Sequence, residues 1–131
     1  MPISNESRNL IYQKLIKHLA SLSPPMVMKK DDAAMQCEVT GNTPVPYGYD
    51  KKIIPGMYFA SVAQRKDSVA FYFFPVYMNQ EFAALAPALF KCLKGKTCFH
   101  LKKPEDLDEK ELMVLLKKGL QAWEKAGYVV T

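Results

Sequence analysis

Cys98 and His100 lie two residues apart, with Cys92 six residues upstream, and thiol and imidazole side chains at such spacing offer soft ligands to zinc or iron. On a strand, residues two apart share a face by pleating alone, and the spacing matches no standard ligand pattern. A nucleophilic Cys/His couple would need Cys98 beside a base and an oxyanion site, and no motif marks either. The acidic run Glu105, Asp106, Asp108, Glu109 and Glu111 could hold a hard cation, yet acids at a helix start are explained by its dipole and caps. No glycine-rich phosphate loop occurs; Lys94-Gly95-Lys96 reads as a helix end with well-placed cations. These residues point to no catalytic set, no metal set and no cofactor.

The remaining chemistry lies in Met57–Tyr77, MYFASVAQRKDSVAFYFFPVY, which reads as a β-hairpin turning at Lys66-Asp67. Symmetric pairing sets Val62 opposite Phe71 and Ala60 opposite Phe73 on one face, with Ser61 opposite Tyr72 and Phe59 opposite Phe74 on the other. Both faces are apolar, so both need cover from helices, a partner chain or a ligand. The second face mixes rings with hydroxyls and is the candidate ligand site, lined by Phe59, Tyr72 and Phe74, with His100 and Lys102 beside it.

The elements that position this hairpin follow from periodicity. Asn5–Ser21 predicts an amphipathic helix capped by Ser4, with Ile11, Leu15, Leu19 and Leu22 inward and Ser23-Pro24-Pro25 as its stop. His18 borders that stripe as a partly buried surface residue. Met35, Cys37 and Val39 alternate with polar residues, predicting a strand that ends at Gly41 and turns Cys37 inward as a small hydrophobe. From Asn42 to Gly56, Pro44, Pro46, Gly48, Pro55 and Gly56 predict an irregular connection whose Tyr47 and Tyr49 either line a cleft or anchor the loop. Past the hairpin come two short helical pieces, Gln80–Leu85 capped by Asn79 and Pro87–Leu93 closing at Gly95. Thr97–Leu101 is the fourth strand, with Phe99 and Leu101 on one face and Cys98 and His100 on the other. Asp108 and Glu111 form a capping box for a final helix, Glu109–Ala126, stapled by Leu107 on Leu112 and ended by Gly127. The order α-β-β-β-α-β-α predicts an α+β fold with a mainly antiparallel sheet of four to five strands and helices packed on it, residues 1–131 being one domain.

The net charge of +5 raises the question of nucleic acid, but lysines and acids interleave, as in Lys29-Lys30-Asp31-Asp32, and no recognition motif accompanies them. No apolar run approaches the ~20 residues of a bilayer span, which excludes a spanning helix. Three cysteines fit reduced thiols and a cytoplasmic setting. The expected partner is therefore an unidentified small molecule or protein, without membrane or nucleic acid; exposed hairpin edges also fit a homodimer.

The hairpin ending FYFFPVYMN, the later GKTCFHLKKPEDLD and the amphipathic helix carrying AWEKAGY resemble the YdhG-like domain-of-unknown-function family. The resemblance covers roughly residues 5–129 and is most specific in Val76–Asn79 and Gly95–Lys103, which are framework motifs. It implies a curved antiparallel sheet in small intracellular bacterial proteins, with a frataxin-like iron chaperone in one branch. Chaperones of that type present an acidic ridge; this chain is basic, with its acids gathered at one helix start. The resemblance implies no functional residue here. The expected function is a non-catalytic binding module, with an iron or other metal carrier as the alternative.

Overall fold

Six strands hydrogen-bond into one antiparallel sheet in the order β1-β2-β5-β6-β8-β7, and a separate two-stranded ribbon, β3-β4, flanks it. The strands are β1 Val27–Asp31, β2 Gln36–Thr40, β3 Val45–Tyr47, β4 Lys52–Ile54, β5 Tyr58–Gln64, β6 Val69–Phe73, β7 Leu93–Lys94 and β8 Cys98–Leu101. The helices are α1 Asn5–Ala20, α2 Pro75–Met78, α3 Phe82–Leu85, α4 Pro87–Phe90 and α5 Glu109–Ala126, with a 3-10 turn at Pro104–Asp106. This computed structural model describes residues 4–23, 26–31, 33–47, 51–78, 81–95 and 97–130. The expected stop at Pro24-Pro25, the cap at Asn79 and the side chains of Tyr47 and Tyr49 lie outside the described set. Among the described residues no helix is long and apolar enough to cross a membrane.

The central hairpin has the predicted register: Ala60, Ser61 and Val62 pair with Phe73, Tyr72 and Phe71, and Arg65 N–H closes the turn on Ser68 C=O at 2.8 Å. Pleating sends Cys37, Val39, Ala60, Val62, Phe71, Phe73, Phe99 and Leu101 to one face, all buried. Onto it pack α1, through Ile11, Leu15 and Leu19, and α5, through Leu112, Leu115, Leu116 and Trp123. At Gly119 the α5 backbone comes so close to the sheet that a Cβ there would lie 2.7 Å from Phe73 Cζ and 2.9 Å from Phe59 Cε1.

Both helices start as expected: Ser4 Oγ accepts from Ser7 N–H at 3.1 Å, and Asp108 Oδ1 from Glu111 N–H at 3.1 Å. The capping box is not completed. Glu111 instead turns its carboxylate outward, where Oε1 accepts from Ala88 N–H at 3.0 Å and Leu89 N–H at 3.1 Å, capping α4 rather than its own helix. Leu107 and Leu112 are both buried, as a staple requires, and Gly127 takes φ 85° at the α5 terminus.

The α+β class and antiparallel sheet are as expected, but the element order gains four strands. β1 lies in a stretch with no expected element, the β3-β4 ribbon in the connection expected to be irregular, and Leu93-Lys94, expected to close a helix, pairs with β8. The largest correction concerns Phe59. Val39 pairs with Ala60 and Thr40 with Tyr58, so Phe59 is the extra residue of a β-bulge. The bulge breaks the two-residue alternation and turns Phe59 into the core, in T-shaped contact with Phe73 at 5.3 Å and Trp123 at 5.4 Å, rather than beside Tyr72.

Candidate functional site

The described helices leave the other face of the sheet uncovered. One ladder of side chains crosses all six strands there: Lys29, Glu38, Ser61, Tyr72, Cys98 and Lys94, each opposite the next. A parallel row carries Asp31, Gln36, Ala63, Ala70 and His100. Pleating alone puts them on one side, and the absence of a covering helix keeps Ser61, Tyr72, Cys98 and His100 half-exposed.

Hydrogen bonds organise this face. Tyr58 Oη lies 2.5 Å from Ser61 Oγ, and burial, resisted by that contact and aided by the nearby Glu38 charge, pushes the phenol up to about 12. Arg65, reaching back from the hairpin turn, donates from Nη2 to Tyr72 Oη at 2.6 Å, its Cζ 5.8 Å from the centre of the Tyr72 ring. The turn is itself held from behind, where Arg8 of α1 donates to the carbonyls of Arg65 at 3.1 Å and Lys66 at 2.9 Å. Among the described residues neither Arg65 nor Lys29 forms an ion pair, although Glu38 stands opposite Lys29 across the β1-β2 ladder.

Two adjoining concavities indent it. A wide-open one of about 560 Å³ lies over Asp31, Gln36, Ser61, Arg65 and Tyr72. A second, of about 390 Å³, is walled by Val27, Thr40, Tyr58, Ile54 and Pro55 where the β4–β5 connection rises beside the sheet. Lys29 and Glu38 line both and form the waist between them. A close backbone crossing fixes that wall: a Cβ on Gly56 would lie 2.1 Å from Gly41 C=O.

Of the five residues expected to line a site, Tyr72 and His100 reach this face. Phe74 sits at the end of β6, half-buried, its ring edge-on to Tyr58 at 5.9 Å and to Trp123 at 6.2 Å. Lys102 is exposed beyond the end of β8, where its N–H donates to Asp106 Oδ2 at 3.0 Å. Phe59 is in the core. Sequence reasoning missed Arg65, Lys29, Glu38 and Tyr58. Arg65 had a usable signal, because the hairpin register brings the turn's first residue back toward Tyr72.

Cys98 and His100 do not form a couple. Cys98 stands opposite Tyr72, His100 Nδ1 faces Ser68 Oγ at 3.5 Å, and burial pushes the Cys98 thiol up, against a reactive thiolate. Burial also raises the Cys92 thiol, and Cys37 is in the core. Of the five acids around the start of α5, four are engaged. Asp106 Oδ2 accepts from the Lys102 and Lys103 N–H groups, Asp108 and Glu111 cap helices, and Glu109 Oε1 meets His18 Nε2 at 2.8 Å. Among the described residues no three His, Cys, Asp or Glu side chains are gathered to hold a metal ion. Compared with protein-family models, curated proteins and solved structures, the chain matches none.

Proposed function

We propose that the chain is a non-catalytic binding module that takes its ligand, a small molecule or a segment of a partner protein, on the uncovered face of the sheet. The observation that carries this is one-sided covering. All the helical cover described lies on the Phe71–Phe73 side, while the opposite face keeps a row of half-exposed hydroxyl and thiol groups with exposed cations over an open depression. The hydroxyls of Tyr58, Ser61 and Tyr72 are already oriented by neighbours, which lowers the ordering cost of binding. Membership of the YdhG-like family and a place in a bacterial cytoplasm belong to the same proposal, resting on the Val76–Asn79 and Gly95–Lys103 framework segments.

The test is native mass spectrometry of the purified protein beside Tyr72→Ala. An adduct retained by the parent and lost from a variant that still folds and melts cooperatively is the expected outcome. An adduct retained in full by the variant, or a variant that fails to fold, would show that Tyr72 belongs to the scaffold and remove the site.

A further inference from the structure

The two halves of the face differ in chemistry, and the difference selects a ligand. The concavity over Tyr72 presents the cations of Arg65, Lys29 and Lys30 and the Ser61 hydroxyl, against the carboxylates of Asp31 and Glu38, an excess of positive charge. The adjoining one presents Val27, Ile54, Pro55 and the Tyr58 ring. A guanidinium lodged by Tyr72, with most of its donor fork uncommitted and no ion pair to a carboxylate among the described residues, is an anion receptor. We infer that this face binds an amphipathic anion, its carboxylate or phosphate head at Arg65 and Lys29 and its apolar body along Tyr58, Ile54 and Pro55, an inference that rests on the binding role proposed above. The division of the lining sets the direction. Arg65 and Lys30 line the first concavity alone and Val27, Ile54 and Pro55 the second alone, so the head belongs at the Arg65 end and the apolar body at the other. The depressions of about 560 and 390 Å³ have the dimensions of a small-ligand site.

Three probes with the same ten-carbon tail separate the possibilities: decanoate, decyl phosphate and decylammonium, each titrated below its micellar concentration and followed by backbone amide NMR shifts and calorimetry. Binding by an anion, with shifts at Ser61, Tyr72 and Ile54, and at least tenfold weaker binding of decylammonium, is the expected result. Whichever anion binds more tightly identifies the head group as carboxylate or phosphate. Arg65→Gln, at an exposed turn position, should weaken the anion by about tenfold, as expected for one charge-assisted hydrogen bond, without shifting the melting temperature. Lys29→Gln should weaken it less. Decylammonium binding to this face as tightly as decanoate would overturn the anion assignment while leaving a binding face in place. Shifts confined to the helical layer, or no binding by any probe, would overturn the inference outright; the retained-adduct measurement on Tyr72→Ala judges the binding role separately.

Discussion

Gly119→Ala sets two effects of known size against each other. In an ordinary helix interior the change gains about 1 kcal/mol, because alanine loses less backbone entropy than glycine. Here the new methyl would lie 2.7 Å from Phe73 Cζ and 2.9 and 3.0 Å from Phe59 Cε1 and Cζ. Neither ring has room to retreat. Phe59 is wedged against Trp123 at 5.4 Å, Phe73 against Phe82 at 5.6 Å, and all four are buried. Overpacking a tight core costs about 1–3 kcal/mol, so the clash should outweigh the helix gain and leave a net loss of up to about 2 kcal/mol. For a domain of this size that is a melting temperature lower by up to about 8 °C. Urea unfolding of Gly119→Ala, Phe59→Leu and the double variant is the assay, since shrinking the Phe59 ring should relieve much of the alanine penalty and reveal a favourable coupling. A Gly119→Ala protein more stable than its parent, or a coupling of zero, would refute the close approach of α5 to the sheet on which the one-sided architecture depends.

The bulge predicts opposite fates for two aromatic residues of one hairpin. Phe59→Ala should cost about 3–5 kcal/mol as a core truncation, whereas Tyr72→Ala, on the open face, should cost about 1 kcal/mol or less, and equal costs by urea unfolding would contradict the placement. Glu109 is held below the usual carboxylate range, chiefly by its hydrogen bond to His18, so its contribution is present above the ordinary glutamate pKa and lost as pH falls through the lower folded value. Thermal melts from about pH 7 to 3 should accordingly show a flatter acid limb for Glu109→Gln, and an unchanged limb would discount the pair. Tyr58, raised to about 12, should be missing from the ultraviolet phenolate titration near 10; stability should fall between those two values, a decline that Tyr58→Phe removes. A full complement of phenols ionising near 10 would place Tyr58 in solvent.

Where the chain alternates over a half-buried surface, its sequence was readable. The hairpin register, the facing of Phe99 and Leu101, and the span Glu109–Ala126 all follow from local period and caps. β1 was not readable, since Val-Met-Lys-Lys-Asp lies at a sheet edge with four of its five residues exposed, so there is no inward stripe to detect. β3 and β4 are three residues each, one containing Pro46, and such short ribbons leave little periodicity. The Phe59 bulge depends on Val39 and Thr40, and the turning of Glu111 to α4 depends on Ala88 and Leu89, contacts between segments that no local pattern encodes. The site was legible in half for the same reason. Tyr72 and His100 follow from pleating, whereas Glu38 enters only once β2 is paired with β5 and Lys29 only once β1 is in place.

Covering the sheet on one side alone also divides its residues into two populations under mutation. Along β6 the inward positions Val69, Phe71 and Phe73 should reject nearly all polar replacements, while Tyr72 between Phe71 and Phe73 should accept them; Ala70, on the outer side but fully buried, should accept only small residues. On β5 the alternation must skip a beat, with Phe59 and Ala60 both intolerant in succession, because the bulge turns two neighbours to the same side. The outer face can therefore be rewritten, by selection or by design, while the helical layer goes on holding the fold.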